Sequence, residues 1–132
     1  MKLKSYLDYG TFQPIQIAAT VTMNEAPDFP KEVCATYQAR RDALLDGLSR
    51  IGWEIPKPKG TMFVWAPIPE AYAEMDSVEF CSMVVRDADV ALSPGLGFGP
   101  GGEGFARFAL IENEKRIAQG IRNLRKGLPK LG

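Results

Sequence analysis

The stretch "ALSPGLGFGPGGEGFARFALIEN", residues 91–113, joins a run of six glycines directly to an apolar segment that contains one arginine. Glycine adopts positive φ angles and lets two backbone segments approach closely, so such a run favours a tight connection between regular elements. The segment after it, "FARFALI", is rich in aromatic and aliphatic side chains, which is typical of a β-strand. The stretch therefore predicts a glycine loop that leads into a strand.

The glycines from Gly97 to Gly102 match the G-x-G-x-x-G spacing of dinucleotide-binding loops. In those loops a helix follows the glycines directly, because the pyrophosphate binds at the N-terminus of that helix. Here a strand is predicted to follow, and no Gly-Lys-Ser/Thr of a Walker loop is present. A nucleotide-binding loop therefore ranks below a connection between two strands and is kept as a third hypothesis.

Arg107 is the unusual residue of the predicted strand. It shares one face of that strand with Phe105 and Ala109, so a permanent charge lies in an apolar segment. A guanidinium is costly to bury without an anionic partner, so the strand pattern leaves two interpretations open. One is bidentate binding of a ligand carboxylate, for which the planar arginine side chain is suited. The other is an internal ion pair with Glu54, Glu103 or Glu112.

The segment "TFQPIQIAATVTM", residues 11–23, predicts a first helix with Thr11 as its N-cap and Pro14 near its first turn. Its apolar residues cover nearly every side of the helix rather than one stripe. We therefore expect this helix to pack on something outside the chain, and otherwise to leave an apolar patch exposed or to self-associate.

The middle of the chain predicts a long amphipathic helix that begins near Asp28 and ends at Gly52. The segments "WEI", residues 53–55, and "TMFVWAPI", residues 61–68, are separated by the turn-forming "PKPKG". Their aromatic and β-branched content predicts a β-hairpin or two neighbouring strands.

Three further elements are predicted towards the C-terminus. A helix over residues 75–88 has Asp76 and Glu79 in the spacing of a capping box. "DVALSP", residues 89–94, predicts a short strand before the glycine loop, and Asn113 is positioned to cap a last helix. The order of elements predicts an α/β or α+β fold with a three- to four-stranded sheet, helices packed on one face and the other face open.

Composition excludes several classes of function. The chain has 132 residues, enough for one domain with a core, and its 16 basic and 16 acidic residues cancel. Without a positive field, nucleic acid is not an expected partner. The sequence shows neither a membrane span nor a signal peptide, so we expect a cytoplasmic protein. With no histidine and two isolated cysteines, no metal site is predicted.

Five segments together resemble the C-terminal part of class I/II, fold type I aminotransferases that depend on pyridoxal phosphate, especially the branch with alanine-type and LL-diaminopimelate-type enzymes. These segments are "SYLDYGTFQPIQIAA" at 5–19, "RRDALLDGL" at 40–48, "GTMFVWAPIP" at 60–69, the stretch at 91–113, and "RIAQGIRNLRK" at 116–126. Their order agrees with that of the family, and they extend over nearly the entire chain.

The resemblance implies a homodimeric enzyme that transfers an amino group between an amino acid and a 2-oxo acid. It implies that Arg107 binds the α-carboxylate of the substrate. Gly60, Thr61 and Phe63 are implied to lie close to the substrate. It also implies that Tyr9, Gly10 and Thr11 lie near the cofactor across the subunit interface.

The resemblance also implies that the Schiff-base lysine and the other cofactor ligands belong to a large domain outside this chain. We therefore predict no catalytic residue here, no bound pyridoxal phosphate and no activity of the chain alone. Residues 1–26 are assigned to a segment that continues from the absent large domain, and residues 27–132 to the small domain. The partner is expected to be that large domain or a second copy. The alternative is a non-enzymatic module that binds a small carboxylate through Arg107.

Overall fold

The structure is a computed structural model that describes residues 2–7 and 10–131. The chain divides into two compact units, residues 1–35 and 36–132, and each is described separately. The division at residue 26 that the sequence suggests stays a prediction.

The first unit contains α1 (Lys2–Leu7), α2 (Gln13–Glu25) and the beginning of α3 (Phe29–Ser49). Thr11 does not cap α2, because the helix begins two residues later and Phe12 occupies the N-cap position. The backbone carbonyl of Thr11 instead accepts a hydrogen bond of 2.6 Å from the side-chain amide of Gln16. The predicted cap was therefore wrong in position, although Pro14 does lie in the first turn.

No residue of α2 is buried. Its large apolar side chains are exposed, as the sequence predicted: they are those of Ile15, Ile17, Val21 and Met23. The apolar side chains of α2 are thus not covered within the first unit.

The second unit carries a three-stranded sheet and its helices. Its elements are the rest of α3, then β1 (Phe63–Pro67), α4 (Ser77–Ala88), β2 (Ser93–Pro94), β3 (Phe105–Ala109) and α5 (Glu114–Gly127). β3 lies between β1 and β2 and pairs antiparallel with both. This arrangement confirms the predicted α/β small-domain fold.

Two predicted strands are shorter or absent. Residues 53–55 form no strand. Trp53 is instead a core residue, buried to 2% exposure, and its indole nitrogen donates a 2.9 Å hydrogen bond to the carbonyl of Pro67. The aromatic character of this segment reflects core packing rather than strand pairing. Of residues 89–94, the strand contains only Ser93 and Pro94, which lie opposite Arg107 and Ala106.

The core lies on one face of the sheet. Val64 and Ala66 of β1 and Ala106 of β3 are fully buried there. The ring of Trp53 makes edge contacts with those of Phe80 and Phe108, at centroid distances of 5.7 and 5.4 Å. Helices contribute further buried side chains, among them Leu48, Val84 and Leu124.

The opposite face of the sheet is open and aromatic. Trp65 is 40% exposed and Phe105 is 38% exposed. The Trp65 ring contacts Phe98 of the glycine loop at 5.3 Å and Phe105 at 6.2 Å. The prediction of helices on one face and an open second face is thus confirmed.

Both predicted helix caps in the second unit are present. The Asp76 carboxylate accepts hydrogen bonds of 2.9 and 2.8 Å from the backbone N–H groups of Val78 and Glu79. The Asn113 side chain accepts one of 3.1 Å from the N–H of Arg116. Each cap satisfies donors that the first turn of a helix leaves free. None of the helices in the described ranges is long and apolar enough to span a membrane.

The glycine loop, residues 95–104, consists of two short 3₁₀ turns and the residues around them. Gly95 and Gly102 approach so closely that a Cβ on either would collide with the carbonyl oxygen of the other. Gly99 and Gly104 have φ angles of 112° and 81°, which other residues rarely adopt. Glycine is therefore required for close approach and for positive φ, as the run of glycines suggests.

A hydrogen-bond cluster ties this loop to the start of α4. The Glu103 carboxylate accepts hydrogen bonds from the backbone N–H of Ser77 at 2.7 Å, from its hydroxyl at 3.1 Å and from the N–H of Gly104 at 2.9 Å. The buried Ser77 hydroxyl in turn accepts one of 3.1 Å from the N–H of Leu96. Both ends of the loop are thereby anchored to one helix N-terminus.

Gly95→Ala is expected to lower the free energy of unfolding by about 1–3 kcal/mol, the usual cost of overpacking. The cause is the collision between the new Cβ and the carbonyl oxygen of Gly102. Gly97→Ala is the matched control, because a Cβ there meets no atom within 4 Å. Urea unfolding followed by tryptophan fluorescence measures both. Equal unfolding free energies for the two variants would contradict the close approach.

Glu103→Gln is expected to destabilise the protein at neutral pH and to matter little at strongly acidic pH. Hydrogen bonds from Gly104 and Ser77 hold the pKa of Glu103 below its usual value. Its stabilisation is therefore complete above the unfolded-state pKa and is lost as the pH falls through the lower folded-state pKa. Urea midpoints of both proteins at a series of pH values from neutral downwards measure this, and the difference should shrink only below about 4.3, the ordinary glutamate pKa. A constant difference between them would refute the prediction.

Candidate functional site

Arg107 lies at the centre of the open face. On β3 it is opposite Trp65 of β1 and Ser93 of β2. Its guanidinium carbon lies 4.1 Å from the ring centroid of Phe63 and 4.2 Å from that of Phe98. Both distances are in the range in which the ring quadrupole attracts a cation. Two strands and the glycine loop therefore converge on this side chain.

The guanidinium of Arg107 has few hydrogen-bond partners among the described residues. Nη2 donates a long hydrogen bond of 3.4 Å to the hydroxyl oxygen of Ser93. Nε is buried and has no hydrogen-bond partner among the described residues. A buried donor without a partner costs about 1–3 kcal/mol, so this group has unused capacity for an acceptor.

The internal ion pair that the strand pattern left open is wrong. Glu103 binds Ser77 and Gly104 instead, and Glu54 accepts a 2.6 Å hydrogen bond from the Ser49 hydroxyl. Glu112 is exposed. Within the described ranges no carboxylate pairs with Arg107. The positive charge of Arg107 is thus available to an anionic ligand.

The sequence suggested three site residues near the start of β1: Gly60, Thr61 and Phe63. Of these, Phe63 is the one whose contact with Arg107 the structure shows. Gly60 is exposed, and a Cβ on it would meet no atom within 4 Å. Thr61 is also exposed and has a φ of 73°, a conformation unusual for a β-branched residue. Roles for Gly60 and Thr61 close to a substrate stay predictions.

The candidates of the first unit are not tested by this geometry. Tyr9 lies outside the described residues. Gly10 and Thr11 are both exposed, and Gly10 has a φ of 148°. Their role near a cofactor stays a prediction.

Sequence reasoning missed two neighbours of Arg107. Phe98 is the one aromatic residue between Gly95 and Gly104, and a bulky ring inside a glycine run is a signal that could have drawn attention to it. Ser93 became visible only through the register of β2 against β3.

A shallow cavity of about 370 Å³ lies beside this cluster. Its lining is formed by Trp65, Phe98, Gly101, Gly102 and Phe105. A larger cavity of about 550 Å³ lies between α5 and the end of β3, and its charged lining residues Asp89, Glu112 and Arg116 are all exposed. We assign the site to Arg107 rather than to the larger cavity, because Arg107 combines ring contacts with a buried, unpaired donor.

The described residues contain no cluster of His, Cys, Asp or Glu side chains that could hold a metal ion. Cys81 is buried, and burial raises the pKa of its thiol to about 11, so it is not poised as a nucleophile. Among the described residues of the second unit, Arg107 thus remains the candidate for binding a ligand, because its Nε is buried without a partner beside two aromatic rings.

The sequence and the fold of this chain are similar to those of known aminotransferases. Residues 6–124 match the family model of the class I and II aminotransferases. The chain is 46% identical over 124 residues to the glutamate-pyruvate aminotransferase AlaC of Escherichia coli. The aligned residues cover 94% of this chain and 31% of that relative. The chain is 38% identical over 130 residues to the LL-diaminopimelate aminotransferase of Moorella thermoacetica, covering 98% of this chain and 33% of that enzyme.

A solved aminotransferase from Staphylococcus aureus has the same fold over 98% of this chain and 34% of its own length, with a TM-score of 0.87 and 25% identity. The chain thus spans about a third of the length of the relatives it matches. The matched range runs from α1 into α5 and includes the glycine loop, Arg107 and both of its aromatic neighbours, so the chain belongs to the class I and II aminotransferases.

Proposed function

We propose that this chain is the C-terminal portion of a transaminase that transfers an amino group between an amino acid and a 2-oxo acid, and that Arg107 binds the α-carboxylate of both substrates. The observation that carries the proposal is the guanidinium of Arg107 on the open face of the sheet, in contact with two aromatic rings and without a carboxylate partner in the described chain.

The chemistry of the substrates suits this group. An amino acid and a 2-oxo acid differ at the α-carbon but share the neighbouring carboxylate, so one guanidinium can hold both. Arginine presents a planar set of donors that matches a carboxylate in a bidentate way. The rings of Phe63 and Phe98 keep water from part of the guanidinium, which strengthens its interaction with an anion.

The family depends on pyridoxal phosphate, but the described lysines of this chain do not fit its covalent attachment. A lysine that forms a Schiff base needs a desolvated pocket that lowers its pKa. The lysines whose side chains are described are all exposed: Lys31, Lys57, Lys59, Lys115 and Lys126. We assign no step of amino-group transfer to this chain beyond holding the carboxylate, and we propose that another part of the enzyme provides the cofactor site.

The exposed apolar side chains of α2 support a role as part of a larger assembly. Contact of such side chains with water costs about 25 cal/mol per Å² of apolar surface, so a covering partner would stabilise the helix. We propose that this partner is the remainder of the enzyme or, when the chain is alone, a second copy of it. The cytoplasmic location inferred from the sequence stays a prediction.

A non-enzymatic module that binds small carboxylates is the second candidate. It is favoured by one observation: Phe63, Ser93, Phe98 and Arg107 all belong to the second unit, so the cluster needs no other domain to form. Saturable binding of 2-oxo acids by the chain alone would favour this candidate, provided that a chimera of this chain with the rest of a related transaminase is inactive.

Arg107→Lys is expected to lower kcat/KM for both substrates by about 10- to 100-fold, because a charged bidentate contact is lost. The assay uses AlaC of Escherichia coli in which the homologous segment is replaced by this chain, with glutamate and pyruvate as substrates. Arg125→Lys is the matched control, since Arg125 is exposed on α5. An active chimera with unchanged kinetics in Arg107→Lys would refute the role of Arg107, and an inactive chimera with correct folding would refute the proposed transaminase.

The isolated chain is expected to self-associate through α2, and the double substitution Ile17→Lys with Val21→Lys is expected to abolish the association. These two side chains are exposed and lie on the same side of the helix. Gln16→Lys with Thr22→Lys adds the same charge at exposed polar positions that point away from the side of Ile17 and Val21, and serves as the control. Sedimentation velocity over a range of concentrations measures all three proteins. A monomeric wild type at every concentration would show that α2 is not a contact surface.

A further inference from the structure

We infer that Phe98 is a positioning residue: the glycine loop holds its ring against the guanidinium of Arg107 and thereby sets the direction in which Arg107 presents its N–H groups. This inference rests on the proposed function, in which those N–H groups bind a carboxylate.

Polar contacts alone do not orient the guanidinium. The hydrogen bond from Nη2 to Ser93 is 3.4 Å long, beyond the usual range of such bonds, and Nε has no partner among the described residues. An arginine side chain has a large rotamer entropy, so an unrestrained guanidinium would sample many directions. The contacts that restrict it are therefore the rings of Phe63 and Phe98, each about 4 Å from its central carbon.

The two rings are supported in different ways. Phe63 belongs to β1 and lies opposite Ala109 in the sheet, so its position follows from strand pairing. Phe98 is 51% exposed and lies outside the sheet, in the first 3₁₀ turn of the glycine loop. Its ring contacts Trp65 on one strand and Arg107 on the next. The place of Phe98 therefore depends on the path of the loop.

That path is set by contacts remote from Arg107. The close approach of Gly95 and Gly102 brings the two halves of the loop together. The Glu103 carboxylate accepts hydrogen bonds from the backbone N–H and hydroxyl of Ser77, and the Ser77 hydroxyl accepts one from the N–H of Leu96, so both halves are anchored to the start of α4. A continuous set of contacts thus leads from the N-terminus of α4 through the loop backbone to the Phe98 ring and the guanidinium. A substitution that weakens these hydrogen bonds should therefore change the orientation of the Arg107 guanidinium, although the substituted residue is remote from Arg107.

The guanidinium can be observed directly by NMR of the full chain, through the Nε–Hε signal of Arg107 with ¹⁵N labelling. A ring close to this group shifts the proton signal, and its buried environment slows exchange with water. Phe98→Leu is expected to move the signal towards its position in a free arginine side chain and to increase its motion. Phe98→Tyr, which keeps the ring, should retain the wild-type signal. Phe105→Leu is the control, because Phe105 shares the open face and contacts Trp65.

Glu103→Gln at neutral pH provides a second perturbation that leaves Phe98 intact. It is expected to move the Arg107 signal in the same direction as Phe98→Leu. Unchanged Arg107 signals in both Phe98→Leu and Glu103→Gln, with backbone spectra that show folded proteins, would overturn the inference. A shift in Phe105→Leu as large as in Phe98→Leu would also overturn it, since the effect would then not be specific to Phe98.

Titration with pyruvate separates this inference from the proposed function. Pyruvate is expected to shift the Arg107 signal of the wild type, and Phe98→Leu is expected to raise the pyruvate Kd by about 2- to 5-fold, as loss of one exposed cation–π contact would do. A wild-type Arg107 signal that pyruvate does not move would count against carboxylate binding. The positioning role would still be decided without pyruvate, by the motion of the Nε–Hε group in Phe98→Leu and by its signal in Glu103→Gln, because loss of the ring by itself already shifts the signal.

Discussion

The alternation of side chains along β3 places the core and the candidate site on opposite sides of one strand. Ala106 and Phe108 are buried under the helices, so Arg107 between them has to lie on the open face. A shift of register by one residue would carry the guanidinium into the core, which the pairing with β1 prevents. Core packing and the placement of Arg107 on the open face therefore depend on the same register.

The path of the glycine loop determines further contacts of Arg107. Because Gly95 and Gly102 lack side chains, the loop folds back tightly and returns to β3 immediately before the arginine. The same path carries Phe98 to the guanidinium, and the Glu103 carboxylate joins the loop to α4. The domain thus holds a cation that is partly shielded from water and lacks an internal anion, which suits a carboxylate that the rest of a transaminase would position for reaction.

Sequence patterns succeeded where the signal was local. The caps of α4 and α5 require only a side-chain acceptor and the backbone of the next turn, so Asp76 and Asn113 were identified correctly. The cap at Thr11 was wrong because several residues before Pro14 allowed a helix start. Trp53 was taken for a strand residue because an aromatic ring is common both in strands and in cores, and its indole hydrogen bond to Pro67 is a long-range contact.

The amino-acid order was sufficient to identify β3, the glycine loop and helices α2 to α5, since each follows from spacing and residue type within a short window. It also identified Arg107 as the residue whose charge needs explanation, whereas α1 was not predicted. It could not show that Glu54, Glu103 and Glu112 leave Arg107 unpaired, or that Phe98 and Ser93 are its neighbours. Those contacts arise when β2, β3 and the loop pack together. They depend on register and loop path, which are set by the free energy of the whole packed domain rather than by local preferences.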